Sequence, residues 1–109
     1  MSKFVLHIPC KKYVDGKLVD NGYEKFIDAM TQKLTDIGVY GWYMLDAKGY
    51  YKSRTYDEKL MVIFHDGYEV ANAFRKTCRE FDKDLGQEVY AYEKDNELIV
   101  FDLEMEKKQ

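Results

Sequence analysis

An α+β domain is the fold class that the sequence predicts, and three observations predict it. Short alternations of apolar and polar residues mark strands toward both ends of the chain, two longer apolar stripes at helical spacing interrupt them, and turn-forming residues stand between. The resulting order is β, α, β, β, α, β, β.

The first strand runs Phe4 to Ile8, where Phe4, Leu6 and Ile8 alternate with Val5 and His7 until Pro9 ends the ladder. Asp15-Gly16 between Tyr13-Val14 and Lys17-Leu18 suits a two-residue hairpin turn that needs positive φ. Tyr23, Phe26, Ile27, Met30, Leu34 and Ile37 form one face of a helix, with Asn21 as its cap and Gly38 as its stop. Val39 to Leu45, aromatic and β-rich, reads as the second strand, and Asp46-Ala47-Lys48-Gly49 as a turn. Tyr50 to Asp57 then continues a hairpin or forms an exposed loop before a strand from Lys59 to His65. Val70, Phe74, Cys78, Phe81 and Leu85 make the stripe of a second helix, capped by Asp66 and ended by Gly86. Gln87 to Tyr92 and Leu98 to Leu103 are strands across the turn Lys94-Asp95-Asn96.

The helix starts Asn21-Gly22-Tyr23-Glu24 and Asp66-Gly67-Tyr68-Glu69 repeat one chemistry, which implies two β-α-β halves. Right-handed crossovers then put both helices on one face of an antiparallel sheet, the ferredoxin-like split βαβ arrangement (βαββαβ) with an added C-terminal strand. A chain of 109 residues fits one such domain, residues 1–103, with 104–109 as a charged flexible tail.

From Leu45 onward the chain resembles a family of small bacterial proteins of unknown function, many of them lipoproteins. The resemblance rests on Leu45-Asp46-Ala47-Lys48-Gly49-Tyr50-Tyr51, on Glu58 before an apolar strand, and on Phe81 with Gly86-Gln87-Glu88-Val89. It covers about half of the chain. The lipoprotein signal and an Arg-Phe-Pro approach to the second strand, both associated with that family, are missing. The resemblance supports the fold and implies no mechanism.

The charge balance argues against several function classes. Lys and Arg number 17 against 20 Asp and Glu, a net charge of −3 that gives no long-range pull toward nucleic acid or anionic membrane. Lys48, Lys52 and Arg54 interleave with Tyr50, Tyr51 and Tyr56, the ingredients of a stacking platform for single strands. Asp46, Asp57 and Glu58 neutralise them. Two cysteines without a Cys-x-x-Cys pair suggest neither a disulfide scaffold nor a zinc site, and point to a reducing cytoplasmic setting. The N-terminal apolar run, broken by His7, reads as a strand rather than a signal or a membrane span. No phosphate loop, nucleophile elbow or other cofactor motif occurs, so no cofactor and no metal are expected.

Two functional expectations follow. The first is a non-catalytic binding module, in which Trp42, Tyr43, Tyr50, Tyr51, Arg54, Tyr56, Tyr90 and Tyr92 present an aromatic sheet face and loop to a protein partner. Tyrosine supplies wide contact area at low entropy cost, which suits homodimerisation or the inhibition or adaptation of another protein. A small accessory protein of a phage or mobile element fits this size and composition. The alternative is a small-molecule enzyme or metal binder of the dimeric α+β barrel type. It requires His7 and His65 at the carboxyl ends of parallel neighbouring strands, with Cys10 beside them. Cys78, on a helix stripe, reads as an inert small hydrophobe, and Glu88 beside Tyr90 as a secondary acid candidate.

Overall fold

The computed structural model describes residues 1–103; the segment read as a tail lies outside the described residues. In chain order the elements are β1 Ser2–Pro9, β2 Lys11–Val14, β3 Lys17–Asp20, α1 Tyr23–Asp36, β4 Tyr43–Tyr51, β5 Arg54–His65, α2 Glu69–Glu80, α3 Asp82–Leu85, β6 Tyr90–Lys94 and β7 Glu97–Phe101. The main sheet has five strands in the order β4-β5-β1-β6-β7, every neighbouring pair antiparallel. This is the α+β fold that the sequence predicts, with β2 and β3 as a separate hairpin.

The core forms between the sheet and the two long helices because both contribute apolar stripes at the right period. Phe4, Leu6 and Ile8 of β1 point at Phe26, Met30 and Leu34 of α1 and at Val70, Phe74 and Cys78 of α2, all fully buried. Phe74 is the hinge of this packing, meeting Phe26, Tyr92 and Phe101 edge-on with ring centroids 5.9 to 6.0 Å apart.

Several boundaries differ from the sequence reading, each for a physical reason. Val39 does not open a strand. Gly38 takes a left-handed φ of 89°, and the Val39 amide then donates to the Leu34 carbonyl at 2.8 Å, so Val39 completes the stop of α1 and is buried there. The strand starts only at Tyr43. Asp46-Ala47-Lys48-Gly49 is not a turn but part of β4, because opposite charges face each other across the ladder: Asp46 pairs with Lys59, and Lys48 with Asp57 at 2.6 Å. The chain reverses instead at Lys52 and Ser53, with φ of 50° and 62°. Neither predicted side-chain cap forms. Asn21 donates to the carbonyls of Pro9 and Leu85 at 2.9 and 3.3 Å, and Asp66 lies 3.5 Å from the N-terminal amine.

The relation between β1 and β5 corrects the expected meeting of two histidines. The strand that runs parallel to β1 after the crossover is β4, and the hairpin to β5 reverses direction before β5 inserts beside β1. His65 therefore faces Ser2, while His7 faces Leu60. Five residues of strand, about 17 Å, separate the two rows.

Candidate functional site

One face of the sheet carries the helices; the other is open, and on it lies a cleft of about 730 Å³. Strand alternation decides who lines it. On β5 the even positions Tyr56, Glu58 and Leu60 face the cleft. Their antiparallel partners Gly49 and Ala47 on β4, and Pro9 and His7 on β1, share that face. Beyond Pro9 the β4–β5 hairpin continues as a two-stranded arm. It forms one wall with Tyr51 and Arg54, Tyr13 of β2 rises beside it, and Gln87 to Val89 form the opposite wall.

At the floor, His7 lies between two carboxylates. Its Nδ1 is 3.3 Å from Glu58 of β5, and its Nε2 is 2.7 Å from Glu93 of β6. Two acceptors on two ring nitrogens suit the imidazolium, which donates from both. The bond to Glu58 is the largest influence holding the His7 pKa above the ordinary histidine value; burial opposes it and Glu93 adds to it. Glu93 lies nearer, and Glu58 is the less exposed of the two, at 22% against 30%. The group is thus a histidine whose charged form is favoured by two acids, with a net negative formal charge.

The expected site residues divide. Tyr43 and Tyr51 stand half exposed on the open face, and Tyr50 is exposed at the cleft rim. Tyr56 is half buried, edge-on to Tyr13 with ring centroids 5.9 Å apart, and the Arg54 guanidinium lies over the Tyr13 ring at 4.1 Å. Trp42 packs against the core instead. Tyr90 and Tyr92 are core residues as well, because their partners across the ladder are Phe101 and Ile99 on the helix side. Tyr90 donates to Asp82 at 2.6 Å, and burial together with that acid pushes its pKa far up. Glu88 is exposed and paired with Lys52 at 3.1 Å.

The trio of the alternative reading does not assemble. His65 sits against Glu69 at 3.5 Å, and Cys10 is 6% exposed, with burial pushing its thiol up to about 11. Such a thiol is a poor nucleophile and a poor ligand. Among the described residues no group of three or more His, Cys, Asp or Glu is arranged to hold a metal ion. Nor is any helix there long and apolar enough to cross a membrane. What sequence reasoning missed is Glu93 and the role of Glu58. Both become visible only once the register places them on either side of His7.

Neither family models nor curated proteins match this chain. Solved structures do. The chain is similar to a phage SAM lyase in its apo state, with a TM-score of 0.58 at 10% identity over 93% of this chain and 88% of that one. It is also similar to a phage SAM lyase in complex with S-methyl-5'-thioadenosine, with a TM-score of 0.54 at 8% identity and the same coverage. The likeness is one of fold. It corrects the expectation of a non-catalytic binding module acting by homodimerisation or inhibition, because the structures that share this architecture are those of an enzyme, once with a small molecule bound.

Proposed function

We propose that this chain is a small-molecule enzyme that cleaves a sulfonium substrate of the S-adenosylmethionine kind in the open-face cleft. The observation that carries the reading is the acidic and aromatic cleft around Glu58 on a fold shared with a SAM lyase. Its volume of about 730 Å³ is ample for a nucleoside with an amino-acid arm. Tyr51 and Tyr56 line the cleft with aromatic rings suited to a purine, and the net negative floor suits a sulfonium.

The chemistry sets what the residues must do. S-methyl-5'-thioadenosine is S-adenosylmethionine without its four-carbon amino-acid arm, so its release breaks the bond from sulfur to that arm. The bonding pair stays on sulfur, which leaves as a neutral thioether. The arm keeps its balance by giving a proton to a base or by bonding to its own carboxylate. His7, with both ring nitrogens bonded to carboxylates, has no free nitrogen to take a proton and acts as the positioning residue for Glu58. Glu58 is the group that meets the substrate cation.

Purified protein incubated with S-adenosylmethionine, with the products followed by mass-resolved chromatography, tests the reading. Methylthioadenosine accumulating with enzyme concentration, and falling at least about tenfold in Glu58→Gln, is the expected result. No turnover, together with no saturable binding of S-adenosylmethionine or methylthioadenosine, overturns it.

A further inference from the structure

The cationic side chains of the cleft are not equivalent. His7 is held by Glu58 and Glu93, Lys48 by Asp57 and Lys52 by Glu88. Among the described residues, Arg54 alone of these has no carboxylate partner; its guanidinium rests on the Tyr13 ring, which Tyr56 buttresses edge-on. The guanidinium carbon sits 4.1 Å from the ring centroid with no carboxylate bonded to it, and arginine takes a carboxylate through two parallel hydrogen bonds.

Arg54 and Glu58 lie on one face of β5, with Tyr56 between them, about 13 Å apart along the strand. The Glu58 carboxylate reaches His7, in the row of Leu60, and also covers Gly49, whose partner across the ladder is Tyr56. A negative group and an unpaired positive group thus flank the same aromatic ring inside one cleft. A ligand that satisfies both has a cationic centre and a carboxylate a short chain apart.

We infer that Arg54 is the carboxylate-recognising residue of this cleft, so that its ligands are adenosyl compounds that retain the amino-acid arm. The inference rests on the reading of the cleft as a sulfonium site and adds a selection: the carboxylate-bearing molecule binds in preference to the truncated thioether. That preference also favours release of methylthioadenosine once the arm is severed, since the product no longer holds Arg54.

The test compares S-adenosylhomocysteine, a neutral thioether with the carboxylate, and methylthioadenosine, which lacks it, by calorimetric titration of wild type, Arg54→Gln and Arg54→Lys. Arg54 is exposed, and thermal melting confirms that the variants fold. The expected result is that Arg54→Gln weakens S-adenosylhomocysteine about tenfold or more, leaves methylthioadenosine within about twofold, and is partly rescued by Arg54→Lys. Equal losses for both ligands, or no loss for either, overturn the inference and leave the sulfonium reading standing. Failure of wild type to bind either ligand or S-adenosylmethionine overturns both.

Discussion

The carboxylate of Glu58 occupies the place where a side chain at Gly49 would begin: a Cβ there would stand 2.8 Å from Glu58 Oε1. Gly49 lies in β4 directly across from Tyr56, so the close approach comes from register rather than from an unusual backbone angle. Gly49→Ala therefore displaces a flexible carboxylate and not the strand. We expect its unfolding free energy to change by less than about 1 kcal/mol, because alanine also removes chain entropy from the unfolded state. The His7 pKa should fall toward the ordinary value as the Glu58 bond is lost. Imidazole titration by NMR reads this directly, and an unchanged His7 titration in Gly49→Ala would show that Glu58 keeps its place by another route.

The same pair sets a pH dependence. The His7 pKa is raised in the folded state by Glu58 first, against burial and with help from Glu93. A raised folded pKa contributes stability that is fully present below the unfolded value, about 6.5, and is lost as pH rises through the higher folded value. Denaturant midpoints should therefore decline as pH climbs from about 6.5 through that folded value, and His7→Gln should flatten the decline. A midpoint that rises over this window in wild type, or a slope that His7→Gln leaves intact, contradicts the assignment.

These residues also show what the sequence makes legible. The Asp15-Gly16 turn was readable because positive φ at both positions, 52° and 78°, is a local demand that those residues meet. The reversal at Lys52-Ser53 was not, since nothing in those two residues asks for it; the ion pairs Asp46–Lys59 and Lys48–Asp57 set the register and leave the turn where it falls. Tyr51 and Tyr92 look alike in a strand pattern, yet one is 43% exposed and the other 5%. The face each takes depends on partners far away in the chain. His7 was visible as a candidate for the same reason that its partners were not. A histidine within an apolar strand stands out, whereas Glu58 and Glu93 are ordinary surface acids until β5 and β6 flank β1.

Cys10 illustrates the opposite case, a residue with suggestive chemistry and an unsuitable setting. Its thiol is 6% exposed and pushed up to about 11, so near neutral pH its thiolate fraction is roughly a hundredfold below that of a free cysteine. Labelling of the native protein by an aromatic disulfide reagent at pH 8 should be slow and should become fast in denaturant. On the proposed reading of the cleft, Cys10→Ala should leave turnover of S-adenosylmethionine within about twofold of wild type, far from the losses of about a hundredfold or more expected when a nucleophile is removed. Rapid stoichiometric labelling of the native thiol, or a large loss of turnover, would return Cys10 to the site.

Asn21 gives the sharpest separation between two structural roles. As a helix cap it would be served equally well by aspartate, which ranks beside asparagine at that position and also favours the positive end of the helix dipole. In the structure its side-chain amide instead donates to the carbonyls of Pro9 and Leu85, tying the end of β1 to the last turn of α3 from a position only 4% exposed. Aspartate has the same shape but cannot donate when ionised, and would set a carboxylate against two carbonyl oxygens. Asn21→Ala should cost about 1 to 3 kcal/mol in urea unfolding near neutral pH, the range for a lost buried hydrogen-bonding group. Asn21→Asp should cost at least as much and should recover part of the loss as acid protonates the new carboxyl group. An Asn21→Asp variant as stable as wild type at neutral pH would mean that the side chain serves the start of α1 after all.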